Sequence, residues 1–426
     1  MGKALVVTSI DGLATVECGI ASVVHWFFEE IDAIVEKVPR LLRQDWSLYA
    51  ISPRIDAACS DFSPRVHALV SSACAEHGGE FLWAEVDDPS SLRAVWSLGD
   101  PRRWERMCAS VAGQVRALAE RHDQVTVLAH GIMLAPLRDC LRDLDRVQIV
   151  FVPHTLGPVF QDQVVSDRAV FEKRGFDAMA EFAQDRIGCI GPYFEEILRT
   201  GYGRTSAQLA PFVNGIPAGS FRFPAEVPAA RRREHLERAG VPLDKRLVFS
   251  WGRCAWQKGF DALIPAWSDF RERSSDDWHC VLLMPQEVSA PEYVALLDEQ
   301  LAHVPSGSCT VIRRFDPLLP YYLLREEALE IVVFASRFEG APLSLLETLR
   351  FGSPGLRIAW HDIPSLAQFL QGAGPTFRFG SLERADMVES LLRARDSEGV
   401  TLPESRVQSF ADNTARGLRD VLRWWT

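Results

Sequence analysis

The chain has 426 residues, of which 47% are hydrophobic and 24% charged, a composition typical of globular proteins. This length exceeds that of one ordinary hydrophobic core and predicts two to four domains. The formal net charge is −11, of which −8 falls on residues 1–215. Nucleic acid and anionic membrane surfaces need a basic face, so neither is an expected partner.

No apolar run approaches the ~20 residues of a membrane-spanning helix, so stable membrane association is not expected. The start of the chain, MGKALVVTSIDG, lacks the layout of a signal peptide because Asp11 and Gly12 end its short apolar stretch. The nine cysteines are scattered and form no C-x-x-C pair. These features predict a cytoplasmic protein with reduced thiols.

Strand-like and helix-like segments alternate through the first half of the chain. We predict a strand at 4–9, a helix at 20–34, strands at 48–52 and 80–85, a helix at 104–121, strands at 124–129 and 148–152, a helix at 171–183 and a strand at 186–190. The following segment, APFVNGIP at 210–217, is rich in turn formers and is predicted to be an interdomain linker.

The second half is more regular. We predict a basic helix at 227–239, strands at 247–251, 279–284, 309–313, 331–335 and 356–359, and helices at 261–267, 292–303, 343–351 and 365–370. The predicted fold class is α/β, with two Rossmann-like domains of residues 1–212 and 213–410 facing a deep cleft. The apolar spacing in the tail predicts that a C-terminal helix at 411–426 packs back on the first domain.

The segment RFEGAPLSLLETLRF joins a predicted strand to a predicted helix. Pro342 suits the first helical turn because it has no N–H to lose. Glu339 would lie just before the helix and Glu347 inside its first turns, where the two carboxylates could hold two parts of one ligand. The alternative is local: Glu339 favours the helix N-terminus, and Ser344 with Glu347 forms a capping box.

A second loop, WGRCAWQKG, follows the strand predicted at 247–251 and precedes a helix. Arg253 and Lys258 are separated by four residues in this glycine-flanked loop and could reach one polyanion. A planar guanidinium fork and a point charge together suit a diphosphate. The alternative is that both are solvated surface cations.

Two further features lie where strands are predicted to end. His154, in FVPHTLG, follows a strand at the edge where parallel sheets bind ligands. Gly19, in ECGIA, opens a helix after the first strand and loop, so its backbone could approach a phosphate. The alternatives are a histidine that caps a strand, and a simple turn at Asp11–Gly12. There is no complete G-x-G-x-x-G motif, so a dinucleotide-dependent oxidoreductase is poorly supported.

Taken in order, these features resemble the retaining GT-B glycosyltransferases, the large family that includes glycogen synthase and sucrose-phosphate synthase. The resemblance covers most of the chain and is strongest over residues 247–355. The segments that carry it are FASRFEGAPL with Glu339 and Glu347, the loop with Arg253 and Lys258, the NGI segment at Asn214, and HTLG at His154.

The resemblance implies a role for each of these residues. Arg253 and Lys258 would bind the donor diphosphate and stabilise it as it leaves. Glu347 would accept hydrogen bonds from the ribose hydroxyls. Glu339, with the backbone of residues 340–343, would hold the donor sugar near its reacting carbon.

His154 would contact that sugar from the other domain, and Gly19 would lie near the donor phosphate or the acceptor. The implied catalytic residues are His154, Arg253, Lys258 and Glu339. The implied donor-binding residues are Gly19, Asn214, Gly252, Gly340, Ala341, Pro342, Leu343 and Glu347.

The function implied is transfer of a sugar, with retention, from a UDP- or GDP-sugar. Relatives with lipid acceptors often carry a basic or amphipathic membrane-facing surface in the first domain. The acidic first half of this chain therefore favours a small soluble acceptor such as a sugar, an aminocyclitol or a natural-product aglycone. Antibiotic assembly is one setting for such an acceptor. No metal site and no resident cofactor are expected, because no D-x-D lies in a suitable loop and fixed cations can stabilise the leaving diphosphate. The oligomeric state stays open.

Two alternatives share the same residues. A GT-B-like sugar-nucleotide epimerase would need further acid/base carboxylates that the sequence does not identify. A non-catalytic nucleotide-sugar-binding protein would keep the binding residues without turnover. The chain also departs from the family pattern, because Cys18 precedes Gly19 where the family often has Gly-Gly, and Asp362–Ser365 replaces a Gly-Gly-x-x-Glu loop.

Overall fold

The computed structural model describes residues 2–15, 19–59, 61–86, 101–159, 166–220, 227–274, 277–286, 289–370, 376–397 and 409–425. The chain divides into two units. Unit 1 consists of Met1–Pro217 together with Gln408–Thr426, and unit 2 consists of Ala218–Val407. Each unit contains its own parallel β-sheet flanked by helices.

Unit 1 contains a seven-stranded parallel sheet within its described residues. Its strands are β1 (Lys3–Ser9), β2 (Trp46–Pro53), β3 (Phe81–Ala84), β4 (Gln124–His130), β5 (Val147–Val152), β6 (Arg186–Cys189) and β7 (Leu209–Pro211). They are ordered β3-β2-β1-β4-β5-β6-β7. Strands β1, β4 and β5 are almost entirely buried, as expected for parallel strands covered on both faces.

The helices of unit 1 alternate with these strands along the chain. They are α1 (Gly19–Glu29), α2 (Ile31–Glu36), α3 (Pro39–Leu42), α4 (Pro64–Glu76), α5 (Pro101–Arg121), α6 (Ser166–Ala180) and α7 (Pro192–Tyr202). The single helix predicted at 20–34 is two helices, separated at Glu30. Helices α3, α4 and α7 and strand β7 are absent from the sequence prediction, and β7 occupies part of the predicted linker.

Unit 2 contains a six-stranded parallel sheet within its described residues. Its strands are β8 (Arg246–Trp251), β9 (Trp278–Leu283), β10 (Cys309–Ile312), β11 (Leu329–Phe334), β12 (Arg357–His361) and β13 (Phe377–Phe379). They are ordered β10-β9-β8-β11-β12-β13. The predicted α/β class with two Rossmann-like domains is therefore confirmed.

The helices of unit 2 agree with the predicted set to within a few residues, except for two that were not predicted. They are α8 (Ala229–Arg238), α9 (Phe260–Glu272), α10 (Pro291–Ala302), α11 (Leu319–Leu323), α12 (Leu343–Phe351), α13 (Pro364–Leu370) and α14 (Arg384–Asp396). The unpredicted helices are α11 and α14. Helix α14 packs against α9 and β13, and its apolar face adds Met387 and Leu391 to the core of the unit.

The C-terminal helix α15 (Phe410–Val421) belongs to unit 1, where it contacts α2 and β7. Ser409 caps it by accepting a hydrogen bond from Asp412 N–H at 3.2 Å. The chain then continues as a short 3₁₀ turn that buries Trp425, whose indole N–H donates to Thr126 Oγ1 at 2.8 Å. This segment completes the core of unit 1 beside β4.

Candidate functional site

The central residues of unit 2 are carried by two neighbouring strands. Strands β8 and β11 pair in parallel, so the loops that follow them leave the same edge of the sheet. The loop after β8 carries Arg253 and Lys258, and the loop after β11 carries Glu339. The fold therefore joins two segments that are 81 positions apart in sequence.

The loop after β8 ends in a tight turn that only glycine permits. Residues Trp256–Lys258 form a 3₁₀ turn, and Gly259 follows with φ of +70°, in the left-handed region. A Cβ atom at Gly259 would overlap the carbonyl oxygen of Ala335, in the loop after β11. The close approach of these two backbones fixes the position of Lys258 relative to Glu339.

Lys258 and Glu339 form an ion pair, and both side chains are largely buried. Ser336 Oγ donates a second hydrogen bond to Glu339 Oε1 at 2.6 Å. The amide of Gln257 donates to the carbonyl oxygen of Phe338 at 3.1 Å and lies 3.4 Å from Glu339 Oε2. The carboxylate is thus held by a cation, a hydroxyl and an amide, which compensates for its removal from water.

Arg253 is the exposed member of this cluster. Its guanidinium donates to Gln257 Oε1 at 3.1 Å, so the same glutamine touches Arg253 through its oxygen and Glu339 through its nitrogen. Arg253, Lys258 and Glu339 together carry one net positive charge. Of its three donors, Lys258 uses one toward Glu339, and the other two can be offered to a phosphate oxygen.

A second ion pair connects the loop after β11 with the start of α9, which follows the loop after β8. Arg337 makes a bidentate contact with Asp261, the second residue of α9, at 2.9 and 2.6 Å. Its guanidinium also lies 4.3 Å from the ring centroid of Trp256, and its backbone N–H donates to the carbonyl of Gln257 at 2.8 Å. Arg337 therefore supports the loop geometry, a role that the sequence pattern did not indicate.

Helix α12 begins where the prediction placed it. Pro342 is the N-cap residue, with φ of −71° and ψ of 104°, and the helix runs from Leu343. Its N-terminal N–H groups have no partner within the helix, which makes this end suited to an anion. The capping-box alternative is wrong, because Ser344 lies inside the helix and Pro342 makes no side-chain cap. Glu347 is buried in the second turn.

Strand β12 adds a histidine to this edge. His361 Nδ1 lies 2.9 Å from the carbonyl oxygen of Ser336, so this nitrogen carries the hydrogen and donates. The ring stacks on Phe379 with centroids 5.8 Å apart. The contact fixes the segment whose hydroxyl holds Glu339. Gln257 and Ser336 were not predicted to be site residues, and their only sequence signal is their place after buried strands.

His154 lies in unit 1, just beyond β5. Its Nε2 is 3.0 Å from Nδ1 of His130, the last residue of the neighbouring strand β4, and the two rings stack with centroids 5.3 Å apart. Burial lowers the pKa of His154 to about 4 and that of His130 well below its ordinary value. Both rings are therefore neutral at pH 7, and His130 is a further residue that the sequence did not indicate.

The loop that carries His154 is held by a buried carboxylate. Glu172 accepts hydrogen bonds from the backbone N–H of Gly157 at 2.9 Å, from Arg168 Nε at 2.7 Å and from the Tyr202 hydroxyl. Arg168 also donates to Thr155 Oγ1 at 2.8 Å. Burial, followed by the charge of Glu172, raises the pKa of Tyr202, which keeps its hydroxyl a donor.

Two further predicted residues, Gly19 and Asn214, belong to unit 1. Gly19 is the exposed first residue of α1. Asn214, predicted in the second domain, lies in unit 1, where its N–H donates to Ile190 O at 3.2 Å and its carbonyl accepts from Asn413.

Gly252 lies in unit 2 beside Lys258, because a Cβ there would come within 3.0 Å of the lysine side-chain carbons.

Among the described residues, no group of three or more His, Cys, Asp or Glu side chains is arranged to hold a metal ion. The helices in the described part of the chain include none that is long and apolar enough to cross a membrane.

Residues 231–364 match the family model described as "Glycosyl transferases group 1". This match spans the loops after β8 and β11, helix α12 and His361. No curated protein matches the chain by sequence.

Several solved structures share the fold. Sucrose-phosphate synthase from Thermosynechococcus elongatus is 15% identical with a TM-score of 0.67, over 99% of this chain and 96% of that one. The N-terminal domain of trehalose-6-phosphate phosphatase from Candida albicans is 13% identical with a TM-score of 0.71, over 99% and 97%. An E. coli trehalose-6-phosphate protein bound with UDP-2-fluoro glucose is 13% identical with a TM-score of 0.60, over 99% and 95%. At these identities the likeness shows the fold alone.

Proposed function

Because residues 231–364 belong to the glycosyl transferases group 1 family, we propose that this chain moves a sugar from a nucleotide sugar to a small soluble acceptor, with retention of configuration. The family match confirms the predicted resemblance and the prediction that the chain is a glycosyltransferase. The acceptor class and the roles of individual residues are proposed here.

The observation that carries the proposal is the fixed pair of cations in the loop after β8, Arg253 and Lys258, beside the loop after β11 that carries Glu339. Departure of a nucleoside diphosphate develops negative charge, which preorganised donors stabilise without reorganisation at the moment of reaction. Lys258 is held by Glu339, and Arg253 by Gln257, so both cations are placed before a ligand binds. The N-terminus of α12 lies in the loop that carries Glu339 and adds a second source of positive potential.

The two acidic residues have different functions. Glu339 positions Lys258 and, with the backbone of Gly340–Leu343, holds the donor sugar. Glu347, buried one turn into α12, accepts hydrogen bonds from the ribose hydroxyls. No side chain is assigned as a nucleophile, since retention by front-face attack lets the leaving phosphate assist deprotonation of the acceptor.

The donor is proposed to be a UDP- or GDP-sugar. One protein of the same fold is bound with UDP-2-fluoro glucose, which supports the uridine nucleotide as the first to test. A small soluble acceptor, such as a sugar, an aminocyclitol or a natural-product aglycone, is supported by the acidic first half of the chain. That charge disfavours the anionic surface on which lipid acceptors lie.

The proposal is tested by incubating the full chain with UDP-, GDP- and ADP-sugars in the presence of EDTA. Slow release of free sugar and nucleoside diphosphate is expected, and release should accelerate when the right acceptor from a panel of neutral sugars and cyclitols is added. Interconversion of nucleotide sugars would instead identify an epimerase, and tight binding without turnover a binding protein. If no nucleotide sugar raises the melting temperature, the proposed donor class is wrong.

The stereochemistry has its own measurement. The anomeric proton coupling of the first product formed, followed by NMR before any mutarotation, should match that of the donor. An inverted first product would contradict the retaining assignment while leaving glycosyl transfer intact.

A further inference from the structure

Gln257, in the 3₁₀ turn after β8, is an uncharged residue buried among charged ones. It is 4% exposed, and its amide lies between the guanidinium of Arg253 and the carboxylate of Glu339. Oε1 accepts from Arg253 Nη2 at 3.1 Å, and Nε2 donates to Phe338 O at 3.1 Å and lies 3.4 Å from Glu339 Oε2. Both ends of the amide are therefore engaged by groups of the candidate site.

The partners at the two ends fix which way round the amide lies. A guanidinium only donates hydrogen bonds, whereas a carbonyl oxygen and an ionised carboxylate only accept them. Turning the amide over would set its NH₂ group against Arg253 and its oxygen against two acceptors, so one orientation alone satisfies every contact. A glutamate could not replace it, because an ionised carboxylate has no hydrogen to donate to Glu339 or to Phe338 O.

The amide also leaves the charge of the cluster unchanged. Arg253, Lys258 and Glu339 together carry one net positive charge, which a second carboxylate at position 257 would cancel. A guanidinium held by a neutral oxygen keeps its full charge, and its fork has further donors for phosphate oxygens. Gln257 thus holds Arg253 without neutralising it, whereas Lys258 is held by a charged partner.

We propose that Gln257 is a positioning residue that orients the Arg253 guanidinium for the leaving diphosphate, and that this role requires a neutral side chain with one acceptor and one donor end. The backbone supports the same geometry, because the carbonyl of Gln257 accepts from the N–H of Arg337 at 2.8 Å. Ordering an exposed arginine before the ligand arrives removes part of the entropy cost of binding. The inference deepens the proposed function and rests on it for the identity of the ligand as a nucleoside diphosphate.

The first test needs no ligand. In full chain labelled with ¹⁵N-arginine, the Nε–H signal of Arg253 is assigned by its loss in Arg253→Lys, and its heteronuclear NOE reports motion of the side chain on the ps–ns timescale. We expect a rigid side chain in the wild type and a mobile one in Gln257→Met, which keeps the length of the residue but has no amide. Equal motion in the two proteins would overturn the positioning role, whether or not the chain transfers sugars.

The second test is a double-mutant cycle on turnover of the nucleotide sugar. If Gln257 acts through Arg253, Gln257→Met should lower turnover at least about tenfold in the wild-type background. The same substitution should cost less than about threefold once Arg253→Ala has removed the group that Gln257 positions. Equal losses in the two backgrounds would show a merely structural role.

Gln148→Met is the matched control for the loss of a buried amide. Gln148 is 1% exposed in unit 1, where its amide accepts from Thr126 Oγ1 at 3.0 Å and donates to Gln184 O at 2.6 Å. We expect Gln148→Met to lower the melting temperature while turnover per folded molecule stays within a few-fold of wild type. A loss of turnover as large as that of Gln257→Met would contradict positioning as the cause of the latter.

The third test separates charge from orientation. Gln257→Glu keeps an acceptor for Arg253 but cancels the net charge, whereas Gln257→Met keeps the charge and loses the contact. We expect the dissociation constant of UDP, measured by calorimetry, to rise at least about tenfold in Gln257→Glu and clearly less in Gln257→Met. A rise that is equal in both, or larger in Gln257→Met, would overturn the requirement for a neutral side chain. If neither UDP nor GDP binds the wild type, the proposed donor is wrong, and the ligand-free comparison still decides the positioning role.

Discussion

Lys258 and Glu339 form a largely buried ion pair between the loops that follow neighbouring strands of unit 2. Neither charge would be stable there alone, because removing one partner leaves the other charge buried without compensation. Because β8 and β11 are neighbours in the sheet, Glu339 holds the Lys258 ammonium at the edge where α/β folds bind ligands.

Replacing either cation should slow glycosyl transfer more than it weakens donor binding. Arg253→Ala and Lys258→Ala each remove a donor to the leaving diphosphate and should lower turnover by roughly 10² or more. Arg238→Ala is the control, since Arg238 is an exposed cation on α8 that forms an ion pair with Glu234 of the same helix. The measurement is steady-state turnover of each variant with a saturating acceptor, compared with wild type. Unchanged turnover in both Arg253→Ala and Lys258→Ala would refute their assignment to the diphosphate.

Glu347→Gln should act on nucleotide binding. The carboxylate is buried in the second turn of α12 and is proposed to accept from both ribose hydroxyls, which an amide oxygen does less well than an anion. We expect the dissociation constant of the nucleoside diphosphate to rise about tenfold, measured by calorimetry, with the acceptor KM unchanged. An effect confined to the acceptor would contradict the ribose role.

Gly259→Ala should destabilise unit 2 strongly. The residue has φ of +70°, and its Cβ would overlap the carbonyl oxygen of Ala335, so the two loops could not keep their approach. Gly240→Ala is a matched control in the same unit, with φ of +80° but only Thr310 Cγ2 nearby at 3.8 Å. The control should lose about 1–2 kcal/mol of unfolding free energy in urea, from backbone strain alone. The Gly259 variant should lose clearly more, and equal losses would disprove the packing argument.

The two tryptophans at the C-terminus should differ in their contribution to unit 1. Trp425 is 1% exposed and donates to Thr126, whereas Trp424 is half-buried. Trp425→Ala should cost about 3–5 kcal/mol of unfolding free energy, as for other fully buried aromatic residues, and Trp424→Ala much less. In Trp425→Ala, the amides of β4 should lose protection against hydrogen exchange, whereas the protection of unit 2 amides should be unchanged. Equivalent effects of the two substitutions would argue against burial as the cause.

His154 should make unit 1 less stable in acid. An unfolded histidine takes up a proton near pH 6.5, whereas burial lowers the pKa of the folded residue to about 4. Between these values the unfolded chain binds more protons, so stability falls as the pH falls from 6.5 to 4. The full difference amounts to about 3 kcal/mol. His154→Phe should remove that part of the pH dependence of urea unfolding, and the same slope in wild type and variant would contradict it.

An exposed histidine provides the comparison for this measurement. His303, the residue after α10, is exposed. His303→Phe should leave the difference in unfolding free energy between pH 4 and pH 6.5 as it is in the wild type. This control separates the effect of the buried ring from the carboxylates that titrate over the same range.

Much of the fold was predictable because hydrophobic periodicity is a local property. The buried strands β1, β4, β8 and β11 consist mostly of apolar residues, and α12 was predicted to the residue because Pro342 marks its start. Strands β7 and β13 were missed because each is only three residues long and gains its pairing from a neighbouring strand. Helices α4 and α7 were also missed; each buries few residues, among them Val70 in α4 and Phe194 in α7.

For the candidate site, too, some features follow from the local sequence and others only from the tertiary structure. The sequence by itself determined which residues carry the charge, because Arg253, Lys258, Glu339 and Glu347 stand in short segments of recognisable spacing. Only the tertiary structure decided that Lys258 is paired with Glu339 and that His154 is joined to His130. These contacts depend on strand order, which places distant segments side by side, and no local pattern encodes which strands become neighbours.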